Sequence, residues 1–323
     1  MISRFLAPVL AWMLLAGCAS ALDVRPATVA EGAAVLSRED EVTAEWTPAD
    51  ISIRLRGGAS SAALRQQYAA GVSAWSAPER ARLTAMLARN DVHLTTLARW
   101  LPEHVLLVKN SDAVEGGLPH TRGNAIMFGP SLPRDEAELD FLFWHELFHV
   151  LSRHNAARHD EMYGLIGFVP CTTLTLPDGV SEHTLTNPDA PVVRWVAPAP
   201  SIAADAYVTP LLLVEPAQYD PAHPSFTDYF DLRFLRMTRD AAGACAPFST
   251  GADTFVAPQA AMPALFAVAG ANTDYVLHPE ETLADNFAQM MVGKRDVANP
   301  EVQTRLASWL GITPPARQGG RAR

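Results

Sequence analysis

The sequence predicts an α+β fold with a β-rich insertion. Helix-start signals and helical patterning mark four segments: 76–89, 133–159, 278–293 and 300–311. Between residues 165 and 275, short β-like runs are separated by turns rich in Pro, Asp and Gly. We therefore expect one domain over residues 51–313 that contains this insertion. Residues 18–50 lack periodicity and are predicted to be a tether, and residues 314–323 a disordered tail.

Local signals place the elements that precede the second helix. Ser76 suits the N-cap of the first helix, a proline follows in its first turn, and Glu79 lies near its positive end. We expect this helix to end before Asn90. The runs HVLLVKN (104–110) and GNAIMFG (123–129) have the composition of buried strands.

Composition restricts the class of protein. The chain of 323 residues is 49% hydrophobic and 19% charged, which is typical of a globular protein with a substantial core. Its formal net charge of −10 argues against nucleic acid or an anionic membrane surface as partner, because both attract a basic face.

The N-terminus has the features of a signal peptide. Arg4 is followed by an apolar run, Phe5–Ala16, which is too short to be a typical membrane span. The run ends in LAGC and resembles the bacterial lipobox. That resemblance implies removal of residues 1–17 and lipidation of Cys18. Because Ala19 follows, it also implies an anchor in the outer membrane, facing the periplasm. The alternative is a buried N-terminal helix.

Two further cysteines follow Cys18. In an oxidising compartment Cys171 and Cys245 would most simply form one disulfide, which would close a loop of about 75 residues. Two separate buried thiols are the alternative.

The segment FWHELFHV (143–150) contains the strongest functional signal. Residues four apart on a helix differ in direction by about 40° and are about 6 Å apart along the axis. His145 and His149 can therefore bind one ion, while Glu146 flanks it. This H-E-x-x-H spacing supplies two zinc ligands and a general base. The alternative, core histidines without a metal, leaves three polar groups on an apolar helix in need of partners.

A catalytic zinc site needs a third protein ligand. A metzincin continuation would require a glycine where Ser152 stands and a histidine where Asn155 stands, and His154 falls one residue short. The other placement is Glu281 on the helix over 278–293.

Glu281 has Asp285 four residues later, where its carboxylate could accept the N–H of a ligand histidine. Glu280 remains a competitor for the third ligand position. We interpret the segment TNPDAP (186–191) as a loop and nothing more.

The segment Tyr275–Ala288 resembles the corresponding helix of the gluzincin metallopeptidases, and in part that of anthrax lethal factor-type peptidases. The resemblance implies a zincin-like domain: a twisted sheet with an edge strand, an HExxH helix, and C-terminal helices that carry the third ligand. It further implies one Zn²⁺ bound by His145, His149 and Glu281, with Glu146 as general base and Tyr275 as oxyanion donor.

These observations predict a zinc peptidase anchored in the bacterial cell envelope that acts on a peptide or protein. The strand TRGNAIMF precedes the motif helix, where zincins carry the edge strand that binds substrate. We therefore expect Asn124 and Ala125 to contact an extended peptide. Two alternatives are a metal-binding envelope lipoprotein without hydrolytic activity and a purely structural envelope protein.

Overall fold

The computed structural model describes residues 22–215, 217–248, 254–276 and 278–315. The predicted signal peptide, Cys18 and residues 316–323 of the predicted tail lie outside the described residues. Within the described residues, no helix is both long enough and apolar enough to cross a membrane.

The described residues form helices and strands in roughly equal number. The helices are α1 (Val29–Leu36), α2 (Glu41–Ala44), α3 (Pro48–Arg54), α4 (Ser61–Ala70), α5 (Ala77–Leu97), α6 (Glu136–His154), α7 (His159–Gly164), α8 (Pro258–Ala269), α9 (Pro279–Met291) and α10 (Pro300–Leu310). The strands are β1 (Asp23–Pro26), β2 (Val72–Ser73), β3 (His104–Asn110), β4 (His120–Arg122), β5 (Ala125–Met127), β6 (Val169–Pro170), β7 (Trp195–Pro198), β8 (Tyr207–Leu213), β9 (Asp231–Arg239), β10 (Cys245–Pro247) and β11 (Phe255–Val256). The predicted α+β class is confirmed.

The first sheet precedes the motif helix. Its strand order is β1-β3-β5-β4, and β2 pairs with β3 outside this path. Strands β1, β3 and β5 are parallel, whereas β4 runs antiparallel to β5. Within the described residues β4 therefore forms one edge of this sheet.

The second sheet forms the predicted β-rich insertion. Its antiparallel strands have the order β10-β9-β8-β7-β6, and β11 also pairs with β9. The predicted disulfide between Cys171 and Cys245 is present, with 5.6 Å between the Cα atoms. The insertion also contains α8, which the sequence interpretation missed. Its alanine-rich stretch favours a helix, and Pro258 stands at the helix start, where a missing N–H costs nothing.

The prediction of a tether over residues 18–50 is wrong for its described part. Strand β1 pairs in parallel with β3, and α1 begins with a capping box between Thr28 and Glu31. Helix α3 then carries Arg54 into the interior, where it pairs with Asp50 and Glu115. The elements here have only four to eight residues each, too few for a helical period to be visible in the sequence.

Helix α5 begins where predicted but continues past Asn90 to Leu97. The buried Asn90 side chain donates to the main-chain carbonyl of Met86, and its Oδ1 accepts from the Trp144 indole N–H. Because tertiary packing satisfies both ends of this amide, the residue does not end the helix.

Helices α6 and α9 pack against each other in the main core. The ring of Phe287 on α9 lies 5.9 Å from Trp144 and 5.4 Å from Phe148 on α6, measured between ring centres. This contact sets Glu280 and Glu281, in the first turn of α9, opposite the histidines of α6.

Replacing both Cys171 and Cys245 by Ala is expected to lower the free energy of unfolding by about 4 kcal/mol, since the bridge restricts a long loop of the unfolded chain. Urea denaturation would measure the change, and reduced wild-type protein should match the double variant. A loss below about 1 kcal/mol would contradict this role of the disulfide.

Candidate metal centre

Helix α6 carries the His-Glu motif into the interior. Asp135 caps the helix by accepting hydrogen bonds from two backbone N–H groups of the first turn. The apolar residues of α6 belong to the main core, and the side chains of His145, Glu146 and His149 are buried among them. Buried polar groups of this kind need partners.

Glu281 lies opposite both histidines. Its Oε2 atom is 3.3 Å from Nε2 of His145 and 3.5 Å from Nε2 of His149. The potential ligand atoms of the three residues lie within 4.8 Å of one another. The fold therefore brings together the three residues predicted as metal ligands, although they come from helices far apart in the sequence.

A carboxylate contacts the Nδ1 atom of each histidine. Asp285 Oδ1 lies 2.9 Å from Nδ1 of His145, and Glu280 Oε1 lies 2.9 Å from Nδ1 of His149. Each contact leaves the other ring nitrogen directed at Glu281. Asp285 therefore stands where it was expected. Glu280, the competing third ligand, makes the same kind of supporting contact as Asp285.

The residues at the metzincin positions make other contacts or are exposed, so none of them supplies a third ligand. Ser152 and Tyr163 both donate hydrogen bonds to Glu280 Oε2, at 2.6 and 2.8 Å. Asn155 ends α6 with its side-chain amide on main-chain carbonyls, and His154 is exposed. Without a glycine at position 152 the helix continues, so residues 154 and 155 are not turned back towards the site.

The charges of this cluster compensate one another. Burial disfavours a charged imidazole, but hydrogen bonds with Asp285 and Glu281 outweigh it and raise the pKa of His145 to about 10. Burial also disfavours the carboxylate of Glu281, yet the two imidazoles hold its pKa well below the usual range. These directions favour positive charge on the imidazoles beside an ionised Glu281, and a bound cation would supply that charge in place of the protons on Nε2.

Glu146 lies beside the three potential ligands. The hydroxyl of Thr121, on β4, donates to Glu146 Oε2 at 3.0 Å. Burial raises the pKa of Glu146, which makes its carboxylate a stronger base than an exposed one.

Tyr275 lies at the mouth of the site. Its ring centre is 6.0 Å from that of His145, and 40% of the residue is exposed. The negative charge of Glu281, followed by burial, raises the pKa of Tyr275, so its hydroxyl stays protonated. Tyr275, His145 and Glu146 all line a cavity of about 320 Å³. Its other walls are largely apolar and include Leu118, Phe141, Leu142, Phe226 and Phe230.

Asn124 and Ala125, the residues expected to contact an extended peptide, do not lie on the free edge of the sheet. Ala125 is fully buried in β5, between β3 and β4, and the Asn124 amide donates to the carbonyl of His104. Gly123 has a φ of 56°, which lets the chain turn into a hairpin. The turn makes β4 the edge instead.

The segment 186–191, interpreted as a plain loop, reaches the site with two side chains. Asn187 donates to Glu281 Oε1 at 2.6 Å, and Asp189 Oδ1 accepts the backbone N–H of Thr121 at 2.6 Å. Burial, followed by the charge of Glu146, raises the pKa of Asp189 well above its usual value. Loop composition alone carries no signal for such contacts, because they depend on distant parts of the chain.

Asp189 also forms a second potential ligand group, with Glu146 and His149, whose ligand atoms lie within 4.8 Å of one another. Both groups include His149. Because Glu280 occupies the Nδ1 atom of His149, Nε2 is the nitrogen available to either group. Because one nitrogen binds one ion, the two groups are alternatives and cannot both hold a metal at the same time.

Comparison of the chain with protein-family models, with curated proteins and with solved structures gives no match. The residues of the site themselves therefore carry the functional argument.

The substitution Asp285→Asn is expected to weaken metal binding by about 10- to 100-fold, because the amide is a weaker acceptor for the His145 ring N–H. Isothermal titration with zinc would measure the affinity. The control is Glu138→Gln, which changes an exposed acid at the start of α6. Equal affinity of the two variants would contradict a positioning role for Asp285.

Proposed function

We propose that this protein is a zinc-dependent peptidase with a zincin-like catalytic domain. One observation carries the proposal: carboxylates hold the Nδ1 atoms of both histidines, and both Nε2 atoms face a single oxygen of Glu281. Two buried imidazoles aimed at one carboxylate are the expected arrangement of a catalytic zinc site.

The donor set fits a zinc ion. The Nε2 atom of His149 is buried and has no hydrogen-bond partner among the described residues. Leaving a buried ring nitrogen without a partner is unfavourable, and a metal–nitrogen bond would compensate for it. Two imidazoles and one carboxylate are ligands that zinc accepts, and they leave one position open.

Glu146 is the general base in this proposal. A bound zinc ion would act as a Lewis acid on the scissile carbonyl and make the attacking water more acidic. The Glu146 carboxylate accepts the proton of that water and delivers it to the leaving amine. Thr121 holds the carboxylate in position for both transfers, and the protonated Tyr275 donates to the developing oxyanion.

The substrate in this proposal is an extended peptide that adds to the edge strand β4. Main-chain hydrogen bonds to a sheet edge recognise a peptide backbone of any sequence. The antiparallel edge strand beside parallel strands, with the motif helix next in the chain after the β4–β5 hairpin, supports the zincin-like assignment.

Cell-envelope localisation rests on two features of the chain: the lipobox-like segment that ends at Cys18, and the disulfide, which suits an oxidising compartment. The lipid on Cys18 would anchor the domain at the membrane, most simply in the outer membrane on its periplasmic side.

Metal analysis of mature protein that lacks Cys18 tests the ligand set. Wild-type protein is expected to bind about one zinc per chain and Glu281→Ala to lose it, because two histidines alone make a weak site. Glu280→Ala should keep measurable zinc at an affinity reduced about 10- to 100-fold, since it removes a supporting contact. If Glu281→Ala binds zinc as tightly as wild type, Glu281 is not a ligand.

Glu146→Gln separates catalysis from metal binding. This variant is expected to keep its zinc and to cleave peptides about 10²- to 10⁴-fold more slowly than wild type, because the amide accepts no proton. Mass spectrometry of a diverse peptide pool would follow cleavage, with chelator-treated wild type as control. Zinc-loaded wild type that cleaves nothing would instead favour the metal-binding protein without hydrolytic activity.

A further inference from the structure

The edge strand β4 carries a backbone donor next to the general base. Thr121 pairs with Ile126 of β5 in the antiparallel register. Its N–H binds Asp189, so it points away from β5, as in the non-hydrogen-bonded pairs of an antiparallel ladder. The Thr121 side chain meanwhile contacts Glu146. A peptide added to β4 would place a backbone carbonyl on this N–H, within reach of the catalytic residues.

Asp189 occupies that position. Its Oδ1 atom accepts the Thr121 N–H at 2.6 Å, as a substrate carbonyl would. Its carboxylate also lies with Glu146 and Nε2 of His149 in the second group of potential ligand atoms. A carboxylate in this place therefore covers the Thr121 N–H of the edge strand and lies beside Glu146 and His149 of the candidate site.

The neighbouring residues hold Asp189 in place. Asn187 donates to Glu281, and the carbonyl of Pro188 accepts from Arg153 at 2.8 Å. Just upstream, the N–H of Thr186 donates to Asp50 at 2.8 Å. These contacts attach three consecutive residues just before Asp189 and make the loop part of the folded site.

A purely structural role does not account for this arrangement. Capping one strand N–H needs any acceptor, whereas Asp189 puts a second, half-buried carboxylate beside the buried Glu146. Two acids in such a place repel each other when both are ionised. Support of β4 alone would not require an acid whose carboxylate is repelled by that of Glu146.

We propose that the segment Asn187–Asp189 is a built-in blocking segment, which takes the place of the substrate backbone in the resting protein and has to move before a peptide binds. The proposal rests on the proposed peptidase function and adds a form of regulation to it. When a site is open only part of the time, its apparent affinity equals its intrinsic affinity multiplied by the fraction of time that it is open.

Acetohydroxamate binding to zinc-loaded full-length mature protein tests the blocking segment. This small probe binds zinc at its open position and needs no knowledge of the substrate. Asp189→Ala is expected to bind it about tenfold or more tightly than wild type, because the blocking carboxylate is gone. Asp178→Ala, which removes an exposed acid elsewhere in the insertion, should bind like wild type.

Arg153→Met is a second, independent variant. It releases the Pro188 carbonyl and leaves every potential ligand in place, so its probe affinity is expected to rise in the same direction. Unchanged or weaker binding in both variants, with about one zinc still bound to each, would overturn the blocking segment and leave the peptidase proposal intact. Absence of zinc from wild type would instead overturn the peptidase proposal itself.

Discussion

The contact between α6 and α9 is the constraint on which the candidate site depends. An apolar helix that buries two histidines and a glutamate is unstable unless those groups find partners of opposite charge. The first turns of α9 supply them for the histidines, with Glu281 between the rings and Glu280 and Asp285 on the opposite ring nitrogens, while Thr121 donates to Glu146. Aromatic packing at Phe287 keeps the two helices together, so the charged pairs and the apolar contact stabilise one geometry.

The N-terminal segment and the insertion are parts of the site as well. The buried guanidinium of Arg54 pairs with Asp50 and Glu115 and donates to the carbonyl of Thr186. This network joins α3 to the start of the loop that ends at Asp189. Breaking a buried charged network of this kind is strongly unfavourable, so Thr186 at the start of the loop is fixed by residues remote from the candidate site, while Asn187–Asp189 lie beyond this anchor.

The proposed peptidase and the proposed blocking segment are consistent with each other. A hydrolase in the cell envelope is surrounded by other proteins, and an acid loop over the substrate edge would restrict cleavage to conditions that move the loop. In the proposed peptidase, the apolar cavity beside His145 and Tyr275 would leave room for a substrate side chain.

The sequence by itself determined the parts of the site that depend on local spacing. The four-residue spacing of His145 and His149 predicts two ligands on one helical face. The same spacing predicts that Glu281 and Asp285 share one face of their helix. Tertiary structure alone decided the role of Glu280, the identity of the edge strand and the position of Asp189. Each of these depends on how a helix, a hairpin or a loop packs against a distant element, and no local pattern in the chain records that packing.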